Sequence, residues 1–206
     1  MASSISELLS DLSTWTPSEI IAVCFAVLYL LLAIRESIWC WFCAGISTAI
    51  YVYLYFDAKL YMESALNLFY FAMAIYGWSV WTSDTGGAKK IPVTTYTPKT
   101  HAIALGAIVI LALGSGFLLT RYTDAAFPYV DSATTFAAIW STFLIARKVL
   151  ENWWYWFVID IVSIVVYWSR GLELTSMLFV LYVILIPFGL VAWTRSWRNQ
   201  EVAARV

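Results

Sequence analysis

Residues 17–34 read PSEIIAVCFAVLYLLLAI, and this stretch contains a single charged side chain, Glu19. A helix that crosses the hydrocarbon core of a bilayer needs roughly 20 mostly apolar residues. Thr16, Pro17 and Glu19 have the spacing of a capping box with proline at the first helical position. The stretch therefore predicts an α-helix that begins at Pro17 and spans a membrane.

Six further apolar runs follow along the chain. The seven predicted spans are 17–34, 37–56, 60–81, 101–120, 132–147, 153–169 and 174–194. Of the 206 residues, 62% are hydrophobic and 12% are charged, whereas a soluble domain carries about 25% charged residues. Because such a chain has too little polar surface to face water, we predict an all-α integral membrane protein with seven transmembrane helices.

Three segments lie outside the predicted spans and the short loops between them. Residues 1–16 carry acidic side chains but no Lys or Arg, which argues against a signal peptide and favours an interfacial N-terminal helix. Residues 82–100 contain the Gly86-Gly87 pair and two prolines, and are predicted to be a polar linker loop. Residues 195–206 are predicted to form a cytoplasmic tail.

The distribution of Lys and Arg predicts the orientation of the chain, because cytoplasmic loops carry an excess of these residues. With seven spans, the side that holds the N-terminus carries three Lys or Arg residues and the opposite side carries nine. We therefore predict that the N-terminus lies outside and the C-terminus in the cytoplasm.

The chain aligns with itself so that 19–83 matches 131–195 without a gap, and we call this alignment the repeat register. The matched pairs include Arg35 with Arg147, Trp41 with Trp153, Tyr55 with Tyr167, Tyr70 with Tyr182, Gly77 with Gly189 and Trp81 with Trp193. Equivalent helices are four spans apart, and an even step preserves direction across the membrane. We predict two parallel three-helix repeats, 17–81 and 132–194, joined by a linker helix at 101–120. This 3+1+3 layout is that of SWEET-like transporters.

Polar side chains within spans indicate where a solute passes, because such groups are costly in hydrocarbon and usually face the bundle interior. Trp153, Trp156, Asp160, Ser163 and Tyr167 recur every three or four residues and share one face of the sixth span. We interpret this face as the lining of a solute path. The competing interpretation is that the aspartate is protonated or hydrogen-bonded and holds two helices together.

The other candidate residues lie on three further spans. Asn67 and Tyr70 lie on the third span, Ser176 and Tyr182 on the seventh, and Thr48, the repeat counterpart of the aspartate, on the second. Aromatic faces stack on planar rings and attract cations. A planar, positively charged and hydroxyl-rich solute suits such a lining.

The sequence lacks the motifs of several other functions. It contains no phosphate-binding G-x-x-x-x-G-K-[ST] loop, and its single histidine, His101, is interpreted as an interfacial residue. Cys40 and Cys43 are interpreted as apolar fillers on a membrane helix. We predict a facilitator that needs no cofactor and no metal and is not an enzyme. A channel, a receptor and a membrane-embedded enzyme stay open as alternatives.

Residues 147–156, RKVLENWWYW, followed by Asp160 and Tyr167, resemble the signature segment of the PnuC-type nicotinamide riboside transporters. Residues 67–70, NLFY, and 76–78, YGW, are also similar to that family. The resemblance implies a bacterial inner-membrane homotrimer that takes up nicotinamide riboside by facilitated diffusion, with trapping by phosphorylation in the cytoplasm. Relatives that carry thiamine or riboflavin share much of this segment, so the resemblance leaves these substrates open.

Each candidate residue has an expected role in binding such a vitamin precursor. Trp153 and Trp156 are expected to stack on the planar ring. Asn67 and the tyrosines are expected to hydrogen-bond the hydroxyls or the carboxamide. Asp160 is expected to offset the positive charge or to hold a gate.

Overall fold

The computed structural model describes residues 16–57, 61–83, 91–124, 126–170 and 173–204, without the side chains of 61–63, 174 and 204. These residues form seven α-helices and one isolated β-bridge. The helices are α1 (Pro17–Ile34), α2 (Trp39–Asp57), α3 (Tyr61–Thr82), α4 (Pro98–Tyr122), α5 (Pro128–Ala146), α6 (Asn152–Ser169) and α7 (Glu173–Ala204). The predicted all-α fold is confirmed. The predicted interfacial helix falls on 1–15, outside the described residues, apart from Thr16.

Helix starts follow the local chemistry of the chain. Thr16 closes the predicted capping box, since its N–H donates to Glu19 Oε2 at 2.6 Å and its hydroxyl oxygen accepts from Glu19 N–H at 3.3 Å. Pro98 occupies the first turn of α4, and Thr97 Oγ1 accepts from the N–H of Thr100 at 3.3 Å. The first N–H groups of a helix have no partner within the helix. Thr16 and Thr97 satisfy one such group each, which stabilises the starts of α1 and α4.

α4 and α7 extend furthest beyond their predicted spans. α4 runs from Pro98 to Tyr122, and α7 continues to Ala204, ten residues past the predicted end at 194. The residues predicted as a tail are therefore helical as far as they are described. An apolar run ends where polar residues begin. The backbone hydrogen bonds of a helix do not depend on apolar side chains and continue through the polar residues that follow.

Four of the described helices are long and apolar enough to cross a membrane by length and composition: α1, α2, α4 and, within α7, residues 175–203. Among the other three helices, α5 contains Asp131 and five Ser or Thr residues. Helices of this kind need neighbours that accept their polar face.

The chain divides into two compact units, residues 1–90 and 91–206. In the first unit, α2 packs against both α1 and α3. In the second unit, α6 packs against both α5 and α7, and α4 packs against α5. In both units the middle helix of the trio, α2 or α6, thus contacts the other two.

The turns before α2 and α6 have the same backbone. Glu36 and Lys148, which the repeat register pairs, have φ angles of 53° and 51°, in the left-handed region. In both turns the following N–H bonds back five residues at 2.9 Å: Ser37 to the Leu32 oxygen and Val149 to the Leu144 oxygen. A non-glycine residue seldom adopts a positive φ, so its recurrence at paired positions shows equivalent local geometry in the two units.

Each unit also contains a contact between two tryptophans and a glycine. The sets are Trp41, Gly77 and Trp81 in the first unit, and Trp153, Gly189 and Trp193 in the second. The two rings lie edge to face at 5.6 Å in the first set and 5.5 Å in the second, each at 88°. A Cβ on either glycine would lie 2.3–2.5 Å from three atoms of the first tryptophan's ring. Because these three distances are nearly equal, the glycine faces the ring plane, and only a residue without a side chain permits this approach.

Candidate functional site

The face of α6 predicted to be polar is the face that the structure buries. Trp153, Asp160 and Ser163 are 1%, 3% and 8% exposed, whereas Trp156 and Tyr167 are half-buried. The opposite face is apolar and exposed at Val158, Ile161 and Val165. α6 therefore presents Val158, Ile161 and Val165 outward, and Trp153, Asp160 and Ser163 to the interior of its unit.

Asp160 is a buried carboxyl group in the middle of α6. It is 3% exposed, and among the described residues it forms no hydrogen bond and no ion pair. An ionised carboxylate at the centre of a bilayer costs about 3 kcal/mol on insertion scales when nothing compensates it. The alternative interpretation of Asp160 is a hydrogen-bonded link between helices. The described residues contain no partner for such a bond. The group is available to a proton or to a cationic ligand.

The two tryptophans predicted to stack on a substrate have different surroundings. Trp153 lies against Gly189 and the edge of Trp193, and its indole N–H is buried without a partner among the described residues. Trp156, one turn further along, is half-buried. A ligand reaches Trp153 in this state only by displacing a neighbour, whereas Trp156 offers accessible ring surface.

The two predicted hydroxyl residues already donate to carbonyl groups. Ser176 on α7 donates to the Ile164 oxygen of α6 at 3.0 Å, and Thr48 donates to the Ala44 oxygen of its own helix at 2.8 Å. The counterpart of the first bond in the repeat register is Ser64 to the Val52 oxygen at 2.9 Å. Ser176, which is buried, therefore ties two helices together, whereas the half-buried hydroxyl of Thr48 keeps a lone pair that can accept from a ligand.

Tyr182 lies on α7 next to an aromatic stack. Its ring is edge-on to Phe179 at 5.8 Å, and Phe179 is stacked on Tyr167 of α6 at 5.3 Å. The packed pair α6–α7 thus carries five of the candidates: Trp153, Trp156, Asp160, Ser176 and Tyr182. The remaining three, Thr48, Asn67 and Tyr70, lie half-buried on α2 and α3 of the first unit.

One polar cluster escaped the sequence interpretation, which gave His101 no role. His101 Nδ1 lies 2.9 Å from the Tyr155 hydroxyl, and its Nε2 lies 3.9 Å from Glu151 Oε2. The same carboxylate oxygen accepts the N–H of Tyr96 at 3.3 Å. The four-residue step from Glu151 to Tyr155 places both on one face of α6, but nothing in the sequence indicates that α4 and the preceding segment meet them.

A sequence model described as "Nicotinamide mononucleotide transporter" matches residues 16–195. The nicotinamide riboside transporter PnuC of Escherichia coli (strain K12) is 24% identical, over 82% of this chain and 81% of the relative. The riboflavin/roseoflavin transporter RibM of Streptomyces davaonensis is 23% identical, over 89% and 88% of the two chains.

A crystal structure of the vitamin B3 transporter PnuC has the same fold. The TM-score is 0.69 at 20% identity, with 88% of this chain and 82% of that chain covered.

Proposed function

The chain belongs to the nicotinamide mononucleotide transporter family and is a multi-pass membrane transporter, not an enzyme; on that premise we propose that it carries nicotinamide riboside by facilitated diffusion. The proposed process is uniport across the bacterial inner membrane, followed by trapping through cytoplasmic phosphorylation. The relative from Escherichia coli, matched along four fifths of both chains, supports this substrate.

The proposed architecture is a SWEET-like arrangement of seven spans, with two parallel three-helix repeats joined by the linker helix α4. The positive-φ turns, the tryptophan–glycine contacts and the serine-to-carbonyl bonds each occur twice, at positions that the repeat register pairs, and they support the repeat. We propose that the N-terminus lies outside, that the C-terminus is cytoplasmic and that the protein is a homotrimer. Cysteine accessibility at either end in intact cells tests the orientation.

The observation that carries the proposed site is the carboxyl group of Asp160, which is buried one helical turn beyond Trp156 and has no partner among the described residues. A transported cation would place a compensating positive charge next to this carboxylate. At an effective dielectric constant of about 20, opposite charges 4 Å apart attract by about 4 kcal/mol. Asp160 is proposed to face the pyridinium charge of the substrate, and Trp156 to stack on the ring.

The other predicted residues complete the proposed binding site. Trp153, packed against Gly189, is proposed to form one wall of the binding site. Ser176 is proposed to keep α7 against α6. Tyr182 is proposed to bond the ribose hydroxyls. For Asn67, Tyr70 and Thr48 of the first unit, a place in the lining of the solute path stays a prediction from the sequence. The amide of Asn67 both donates and accepts, as a carboxamide or a ribose requires.

Riboflavin and thiamine are the competing substrates. The relative named as a riboflavin/roseoflavin transporter covers as much of the chain as the PnuC relative does, so overall similarity does not separate the two. Charge does separate them, because riboflavin is neutral whereas nicotinamide riboside and thiamine are cations. A seven-helix channel or receptor is the remaining alternative and is distinguished by conductance or signalling without saturable uptake.

Calorimetry on the purified protein tests the substrate. We expect nicotinamide riboside to bind and Asp160→Asn, which keeps the shape and removes the charge, to weaken binding at least tenfold. Asp124→Asn, a matched change at an exposed carboxylate, is the control. Thiamine and riboflavin are offered in the same way. Binding of riboflavin alone changes the proposed substrate to riboflavin, and the proposal is refuted if none of the three vitamins binds.

The effect of Asp160→Asn on folding distinguishes a site residue from a structural one. If Asp160 serves the substrate, folded yield and melting temperature stay close to the wild type while uptake by cells falls. A joint fall of yield and uptake assigns Asp160 to the stability of the helix bundle instead.

A further inference from the structure

The second unit contains an ordered segment before its first helix. Residues 91–97 run extended beside the turn that joins α5 to α6. Thr94 donates its N–H to the Lys148 oxygen at 3.0 Å, and its own carbonyl accepts the N–H of Leu150 at 2.8 Å. Thr94 therefore bridges both sides of Val149, which is fully buried. We call residues 91–97 the strap.

The strap continues onto the first turn of α6 through side chains. The N–H of Tyr96 donates to the carboxylate of Glu151, the residue just before α6, at 3.3 Å. This carboxylate makes no capping bond to the helix that it precedes. His101, in the first turn of α4, lies 2.9 Å from the hydroxyl of Tyr155. The start of α6 thus contacts both the strap and α4.

The corresponding turn in the first unit has the same backbone but different side chains where the strap binds. Residues 36–39 are Glu-Ser-Ile-Trp, whereas 148–151 are Lys-Val-Leu-Glu. The residues that flank these two turns are identical in the repeat register: Arg35 matches Arg147 before the turn, and Trp41 matches Trp153 after it. Glu36 and Ser37 are half-buried, whereas their counterparts Lys148 and Val149 are 2% and 0% exposed. The turn against which the strap lies is thus the more deeply buried of the two.

We propose that the strap and the contact between His101 and Tyr155 position α6 for substrate binding, so that Glu151, Tyr155 and His101 are positioning residues of the transport site. Adjacent residues of a helix move together, and Trp156 follows Tyr155 directly, with Asp160 little more than one turn beyond it. A displacement of the first turn therefore moves the ring and the carboxyl group that are proposed to hold the substrate. This inference rests on the proposed function.

Two proline substitutions test the strap. Thr94→Pro removes the N–H that donates to Lys148, whereas the matched control Thr95→Pro removes an N–H with no partner among the described residues. We expect Thr94→Pro to speed amide exchange over residues 150–156 and Thr95→Pro to leave it unchanged. Unchanged exchange in a folded Thr94→Pro variant overturns the inference, whatever the substrate is.

Tyr155→Phe tests the positioning role, because it removes one hydroxyl and keeps the ring. We expect the dissociation constant for nicotinamide riboside to rise about three- to tenfold, with Tyr122→Phe, at an exposed tyrosine of α4, as the control. In a double-mutant cycle, His101→Phe is expected to add little to Tyr155→Phe. A lower melting temperature with an unchanged dissociation constant, or fully additive effects, overturns the positioning role. If the wild type binds none of the three vitamins, the proposed function fails, and the exchange experiment still decides whether the strap holds α6.

Discussion

Replacing Gly189 with alanine places a methyl group against the ring of Trp153. The Cβ would lie 2.3 Å from Cη2, 2.4 Å from Cζ2 and 2.5 Å from Cζ3. Carbon atoms in ordinary contact are about 3.5 Å apart, so the ring or the helix must retreat by about 1.2 Å. Trp153 is 1% exposed and meets the edge of Trp193, so the ring has little room to move.

The expected loss of stability follows from two opposing effects. Overpacking a well-filled core costs about 1–3 kcal/mol, and the confined ring favours the upper end of this range. Alanine regains about 0.8–1 kcal/mol of helix propensity relative to glycine. We therefore expect Gly189→Ala to lower the free energy of unfolding by about 2 kcal/mol. Gly77→Ala, which meets Trp41 in the same way, is expected to cost a similar amount.

Unfolding of the purified protein in detergent micelles measures this loss. Gly106→Ala and Gly114→Ala are the matched controls, because a Cβ at either position of α4 meets nothing within 4 Å. Both are expected to be as stable as the wild type or slightly more stable. Trp153→Leu is expected to relieve part of the cost of Gly189→Ala, so the double variant loses less than the sum of the single losses. If Gly189→Ala unfolds together with its controls, the close contact does not exist as described.

Three further substitutions have expected outcomes. Trp156→Ala should abolish binding of the proposed substrate in calorimetry without loss of folded yield, whereas Trp154→Ala, on the exposed face, should leave binding intact; equal effects would refute the assigned face. Ser176→Ala should cost about 0.6–1.7 kcal/mol of stability, while Ser115→Ala, whose hydroxyl bonds within α4, should cost less in the same unfolding assay. Thr16→Ala should lower stability by about 0.5–2 kcal/mol and speed amide exchange in the first turn of α1, and an unchanged exchange rate would contradict the capping box.

The helices and the buried face of α6 were predictable because both depend on short-range patterns. Apolar runs, and for α1 the capping box with Pro17, located α1 to α7 to within a few residues at most ends. A step of three and four residues was enough to place Trp156 and Asp160 on the inward face. These signals lie within one helix and need no knowledge of its neighbours.

The features that escaped prediction depend on contacts between distant residues. The bond between Thr94 and Lys148 joins a segment that reads as a polar linker to the turn between α5 and α6, two helices further along the chain. Likewise, the repeat matched Trp153 and Gly189 with their counterparts, but it does not state that the two touch. Only the packing of α6 on α7 shows that this tryptophan rests on a glycine.

The continuation of α7 to Ala204 extends the helix well past the predicted span. Ten residues past that span, at about 1.5 Å each, extend the helix axis by about 15 Å. A probe attached at residues 199–202 therefore turns with the part of α7 that follows Pro187, which carries Gly189 and Trp193, rather than swinging on a flexible tether. A spin label or a fluorophore placed there would report the tilt of α7 during a transport cycle from outside the bilayer, without any change to the binding residues.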